Sequence, residues 1–343
     1  MKALVLEAPG RLVYRDVPSP EPGANEVLVA VRACGICGSD VHGLDGSTGR
    51  RIPPLIMGHE AAGVIAATGA DVTHWKAGDR VTFDSTIYQL DDWFTRRGLP
   101  NLSDGRMVLG VAPGDYRRDG CFAEFVAVPQ HILYAIPDGV SFEQAALVEP
   151  VAVALHALRL VPIESGDVAL VMGAGMIGIC LVQALRAAGC SCVVVADLDP
   201  ARLERAVALG ASLPLRTDQA DVPAELRRLT DGRGADAAYE AVGIAATVGI
   251  AIDSVRRGGA VALVGNVSPT VELPLQTVVT RQLRLQGSCA VCGEYPAALD
   301  LIARGAIDVA SLVSGVAPLA DGAAWFERLA RREPGLLKVL LTP

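Results

Sequence analysis

Aromatic residues are scarce in this chain: Trp, Tyr and Phe make up 4% of its 343 residues, against 36 glycines and a hydrophobic fraction of 51%. The apolar content is therefore mostly Val, Ala and Leu, a mix that suits α/β architecture. Runs rich in Lys and Arg are absent and the net charge is −8, so nothing here tracks a phosphate backbone and nucleic acid is excluded as a partner. The opening Met1-Lys2-Ala-Leu-Val-Leu-Glu7 meets an acid before an apolar signal segment develops, from which a cytoplasmic location is expected. There is no internal repeat and no low-complexity segment. The eight cysteines are too dispersed for a disulfide scaffold. The pairs Cys34/Cys37 and Cys289/Cys292 lie far apart in the chain, which argues against a shared tetrathiolate site. Cys34, Cys121, Cys180, Cys190 and Cys192 read as inert buried thiols.

What is present begins with an uncharged stretch, Val168 to Leu185, bounded by Asp167 and Arg186. Its length alone suits a membrane span, but glycines interrupt it and no basic flank marks a topology. Gly173, Gly175 and Gly178 stand instead at a strand-turn-helix junction that also carries Ile177. The first permits a sharp turn, the second lets backbone approach a pyrophosphate, and the third lets the helix pack closely. Asp197 closes the following strand, Cys192 to Ala196, and is placed to accept hydrogen bonds from ribose hydroxyls. Its charge repels a 2′-phosphate and no base follows directly in Leu198-Asp199-Pro200, so NAD is expected rather than NADP. Arg202 either covers the adenine or pairs locally.

A chain of this length suits two domains. Residues 1 to about 150 carry short strand signals punctuated by Gly, Pro and Asp, the pattern of a β-rich, partly closed barrel. Phe142 to Leu160 reads as helix, with Pro150 expected to break it. Six strands, at 168–172, 192–197, 211–215, 235–239, 260–264 and 283–288, then alternate with helices and predict a doubly wound parallel sheet. The tail, with a helix from Tyr295 to Arg304 and a final strand from Leu336 to Leu341, is expected to return to the first domain.

The β-rich part also holds Cys34-Gly-Ile-Cys-Gly-Ser-Asp-Val-His42 and Gly58-His-Glu60. A thiolate, an imidazole and a carboxylate from separate segments suit Zn²⁺ with one coordination position open. Together with Gly78-Asp-Arg-Val81, Ala123-Glu-Phe-Val126, Glu149-Pro150 and the Gly173–Asp197 unit, these motifs resemble, nearly end to end, the zinc-dependent medium-chain dehydrogenase/reductases, especially their sorbitol, threonine and polyol branch.

The resemblance implies a GroES-like β-rich catalytic domain (1–150, completed by 290–343) and a Rossmann NAD-binding domain (151–289). It implies a catalytic zinc on Cys37 and His59, with Glu60 as ligand or exchanger and Glu149 in the fourth position, directly or through water. It implies reversible oxidation of a secondary alcohol, with Ser39 taking the proton and passing it toward His42. Val264-Gly265-Asn266 and Ser288 are expected near the nicotinamide, and Asp40 as an interdomain hydrogen-bonding group. A homodimer or homotetramer is expected, with no membrane partner.

Two departures from the family stand out. The four cysteines of a structural zinc lobe fall here on Gln89, Asp92, Thr95 and Ser103, so one zinc per subunit is expected, with the lobe held by hydrogen bonds and packing around Trp93 and Phe94. The polar Phe-Arg-Tyr-Cys run of sorbitol-type relatives is Cys289-Ala290-Val291-Cys292, and the aromatic after the relay histidine is Gly43. Sorbitol itself is therefore disfavoured. Another polyol, a sugar, an amino or cyclic polyol, a simpler secondary alcohol or threonine remains open as substrate, and a non-catalytic NAD(P)H sensor is argued against by the intact ligand set.

Overall fold

The computed structural model describes all 343 residues. They divide into two compact units, Met1–Glu149 with Val291–Ala303 and Val309–Pro343, and Pro150–Ala290 with Arg304–Asp308. The short return of Arg304–Asp308 to the second unit has a local cause. Gln183, buried in helix Met176–Ala187, donates to the Asp308 carbonyl and accepts from its N–H at 2.7 Å.

The first unit is built on a sheet whose central strand, Glu26–Gly35, alternates buried and partly exposed positions, the period-two signature of a strand with one face on the core. Its neighbours include Glu60–Thr68, Phe125–Pro129 and the C-terminal Lys338–Thr342, so the tail does complete this unit. A second sheet sets Lys2–Ala8 between Arg11–Asp16 and Leu55–Ile56. Phe83, Phe122, Met57 and Phe326 fill the core, Phe122 and Phe326 meeting edge to face at 5.7 Å.

The second unit holds the six expected strands, all parallel. From one edge the order is Leu213–Arg216, Cys192–Asp197, Val168–Met172, Ala235–Glu240, Val255–Leu263 and Arg284–Gly287. Order reverses beside Val168–Met172, the first strand, which places a ligand crevice at its C-terminal end. Val168–Met172 is apolar throughout and Cys192–Asp197 is apolar up to its last residue, because helices cover both faces. No helix is long and apolar enough to cross a membrane.

One local expectation is corrected. The helical stretch does break, into Phe142–Ala146 and Val148–Leu160, but at Leu147 and not at Pro150. Pro150 lies in the first turn of the second helix, where its missing N–H has no intrahelical acceptor to lose.

Candidate metal centre and dinucleotide turn

Strand register assembles the first site. Gly35 pairs with Glu60 on one side and Leu340 on the other, bringing the Ile36-Cys37 turn, the His59-Glu60 pair and Lys338 to one end of the sheet. The ligand atoms of Cys37, His59 and Glu60 all lie within 4.8 Å of one another. His59 turns Nδ1 toward Asp40 Oδ1 at 3.5 Å, which leaves Nε2 for a metal with a carboxylate behind the ring. Thiolate, imidazole and carboxylate on a three-residue set fit zinc with an open position. The remaining cysteines do not join this grouping.

Glu60 is 1% exposed and both its oxygens accept from Lys338 Nζ, at 2.8 and 2.6 Å; the same ammonium donates to the Ile36 carbonyl at 3.1 Å. Burial pulls Lys338 toward neutrality, but the Glu60 and Cys37 charges prevail and hold its pKa above the ordinary value. This partner was missed from sequence. The available signal was a lone cation inside the apolar run Leu336 to Leu341.

Asp40 is corrected from an interdomain group to a hub within the first unit. Fully buried, it accepts from the Cys37 backbone N–H at 3.1 Å and from Arg51 Nη2 at 2.8 Å. Burial raises its pKa, but the His59 and Arg51 charges overcome that and hold the carboxyl well below the usual range. For His59 burial acts downward, and Asp40 and Cys37 lift the imidazole well above the ordinary histidine value.

Glu149, half-buried in the first turn of Val148–Leu160, stands outside the 4.8 Å grouping. Burial pushes its carboxyl up to about 7, opposed by His59 and reinforced by Glu60. Ser39 and His42 are both exposed on the short helix Gly38–Gly43, three residues apart and so on one side of it. No hydrogen bond joins them. Ser39 Oγ instead accepts from Arg51 Nη2 at 3.1 Å.

The four positions aligned with absent cysteines do converge. Asp92 accepts from the Thr95 N–H at 2.6 Å and from the Ser103 hydroxyl, and Ser103 Oγ in turn accepts from the Gln89 N–H at 2.9 Å. A carboxylate-centred network occupies the place where thiolates would meet, and these hard donors do not fit a tetrathiolate zinc. Trp93 is 54% exposed, so the lobe rests on these hydrogen bonds more than on packing around Trp93 and Phe94.

In the second unit, Gly173 adopts φ +93°, and Gly178 packs so tightly on the Gly173 carbonyl that a Cβ has no room. Gly175, by contrast, has open space where its side chain would stand. It caps helix Met176–Ala187 without a side-chain acceptor, so the first-turn N–H groups, including those around Ile177, keep the unpaired donors that a helix N-terminus offers an anion. Asp197 ends its strand with Oδ2 accepting from the Ala174 N–H at 2.6 Å and Oδ1 from Asp199 N–H at 2.9 Å. Arg202 pairs locally with Asp199 at 3.5 Å.

Val264, Gly265 and Asn266 leave the strand Val255–Leu263, with the N–H groups of Val264 and Gly265 both donating to the Glu240 carbonyl at 2.9 Å. Ser288 follows the last strand and bonds the Leu263 carbonyl through its N–H. All these positions lie at the C-terminal ends of the parallel strands. Glu240, also missed, is fully buried and its carboxylate accepts from the Val242 and Gly243 N–H groups, fixing the turn beside Gly265.

Residues 23–138 match the alcohol dehydrogenase GroES-like domain, and residues 177–304 match the zinc-binding dehydrogenase domain. Sorbitol dehydrogenase of Bacillus subtilis is 34% identical over 348 residues, covering 100% of this chain and 97% of that protein. Among solved structures, the alcohol dehydrogenase TADH of Thermus sp. ATN1 superimposes with a TM-score of 0.94 at 32% identity, covering 100% of this chain and 99% of its own. A zinc-binding dehydrogenase of Sinorhizobium meliloti 1021, solved bound to NADP, does so with 0.92 at 32% identity and coverage of 100% and 99%.

Proposed function

The chain belongs to the zinc-binding dehydrogenase family and is a zinc-dependent alcohol or polyol dehydrogenase with a nicotinamide cofactor; from that premise we propose that it oxidises a secondary alcohol of a polyol, sugar, or cyclic or amino polyol to the ketone, reversibly, using NAD and one zinc per chain. The observation that carries this reading is the convergence of Cys37, His59 and Glu60 within 4.8 Å, with Glu149 near enough to feel the His59 and Glu60 charges. Zinc there supplies Lewis acidity that lowers the pKa of a substrate hydroxyl, and the dinucleotide supplies the hydride acceptor.

The chain's own residues do the rest. Cys37 and His59 hold the metal, Asp40 orients the imidazole, and Lys338 holds Glu60 as an exchangeable carboxylate. Ser39 takes the alcohol proton and His42, exposed one turn on, passes it to solvent. Cys289-Ala290-Val291-Cys292 offers no cationic or aromatic grip on a polyol chain, and Val291 is itself buried. That supports a substrate other than sorbitol.

The preference for NAD rests on Asp197, whose carboxylate is pinned by two backbone donors and stays at the ribose position as a negative charge. The single zinc is supported by the Asp92 network. A homodimer or homotetramer is supported by the open edge strand Arg284–Gly287 and by Leu275 and Val279, 70% and 68% exposed on a neighbouring helix. The test is a screen of polyols, sugars and secondary alcohols for NAD reduction, with and without a chelator. Turnover by metal-stripped protein at the untreated rate overturns the proposal.

A further inference from the structure

Arg51 contributes no ligand and lies in none of the motifs that identify the family, yet it touches both halves of the metal site. Its backbone is clamped to the lobe: Ile52 N–H donates to the Ala112 carbonyl at 3.1 Å and Ala112 N–H to the Arg50 carbonyl at 2.9 Å. From that anchor the side chain, 4% exposed, runs under helix Gly38–Gly43. One nitrogen, Nη2, donates both to Ser39 Oγ at 3.1 Å and to Asp40 Oδ1 at 2.8 Å. Asp40 in turn holds the Cys37 N–H and faces His59 Nδ1. Arg51 Nε is buried with no acceptor, an uncompensated cost that fits a side chain positioned for what its far end binds.

Space for this side chain depends on Gly43. A Cβ at that position would stand 2.6 Å from Arg51 Cδ and 2.8 Å from Nη1, closer than real contacts allow. The aromatic that follows the relay histidine in sorbitol-type relatives cannot coexist with Arg51 in this place.

Resting on the proposed zinc-dependent reaction, we propose that Arg51 is a positioning residue that locks Ser39, the proton acceptor, to Asp40, the support of the ligands Cys37 and His59, and that Gly43 is required for it. A planar fork on a clamped backbone fixes these atoms relative to one another; a lysine, shorter and with a rotatable ammonium, does not.

The test uses full-length enzyme loaded with zinc or cobalt, in wild type and the variants Arg51→Met, Arg51→Lys, Gly43→Ala and Arg50→Met. Arg50 is the exposed neighbour and serves as control. Arg51→Met and Gly43→Ala are expected to weaken metal affinity about 10- to 100-fold, as loss of a group supporting a metal ligand does. They should also shift the visible spectrum of the cobalt enzyme and lower kcat with little change in the KM for NAD. Arg51→Lys should fall between, and Arg50→Met should match wild type.

In a Ser39→Ala background, removing Arg51 should still cost metal affinity but no longer lower kcat further. Should Arg51→Met fail to fold, Gly43→Ala and Arg51→Lys carry the same readouts. Unchanged metal affinity and cobalt spectrum in folded Gly43→Ala and Arg51→Lys overturn the inference. A wild type that binds neither zinc nor cobalt overturns the proposed function instead.

Discussion

Replacing Lys338 by Met leaves the Glu60 carboxylate, 1% exposed, without either of the bonds it receives at 2.6 and 2.8 Å. Methionine nearly matches lysine in volume, so the loss is electrostatic and not a cavity. Removing one partner of a buried ion pair costs about 3–5 kcal/mol, because the remaining charge stays desolvated. That range applies here in the metal-free protein, where no bound metal ion compensates Glu60. The second substitution is Glu60→Gln in the Lys338→Met background, which removes the orphaned charge and should restore most of the loss. All three tryptophans, Trp75, Trp93 and Trp325, belong to the first unit, so urea denaturation of chelator-treated protein followed by tryptophan fluorescence reports that unit. Lys338→Met within about 1 kcal/mol of wild type, or a double variant no more stable than the single, refutes the argument; the first result is what an exposed pair gives.

Asp84 is 4% exposed; burial, reinforced by Glu294 and only partly offset by the Thr86 hydrogen bonds, raises its pKa from 3.8 to about 7. Between those values the folded protein binds more protons than the unfolded one, so this group makes stability fall as pH rises from about 4 to 7, by at most about 4 kcal/mol. Asp84→Asn should therefore gain on wild type at pH 8 relative to pH 4, measured by urea midpoints; a constant difference across that range sinks the idea. Asp92→Ala should speed proteolysis within the lobe while the metal content stays at one zinc per chain by elemental analysis, and a wild-type content of two contradicts the hydrogen-bonded substitute. Asp197→Ser should raise kcat/KM for NADP relative to NAD by about 100-fold, the scale of removing a like-charge contact of several kcal/mol; an unchanged ratio places the discrimination elsewhere.

The second unit was legible because its information is local. Glycine spacing, uncharged strands and Asp197 all fall within one short βαβ segment, and period and punctuation determine such a unit without knowledge of distant contacts. The pairing of the tail with the first unit was legible too, since an apolar C-terminal strand needs a sheet to enter. Pro150 misled because proline breaks a helix interior but suits a first turn, and the choice depends on where Leu147 interrupts the hydrogen bonding. That is set by tertiary packing.

The metal site divides along the same line. Cys37, His59 and Glu60 could be named because their motifs are compact, but the groups that tune them lie outside those motifs. Lys338 reaches Glu60 across 278 positions and Arg51 reaches Asp40 across 11. Neither carries a spacing rule, because ion-pair partners need only meet in space. Composition still left a trace of each. A buried carboxylate next to a metal-binding histidine demands a counter-charge, and a cation stranded in an apolar strand demands an acid. Applied to Asp40 and to Lys338, that requirement would have directed attention to Arg51 and Glu60 before any coordinate was known. For Asp40 the sequence supplies only the nearby Cys37 N–H, and the fold adds Arg51 and His59.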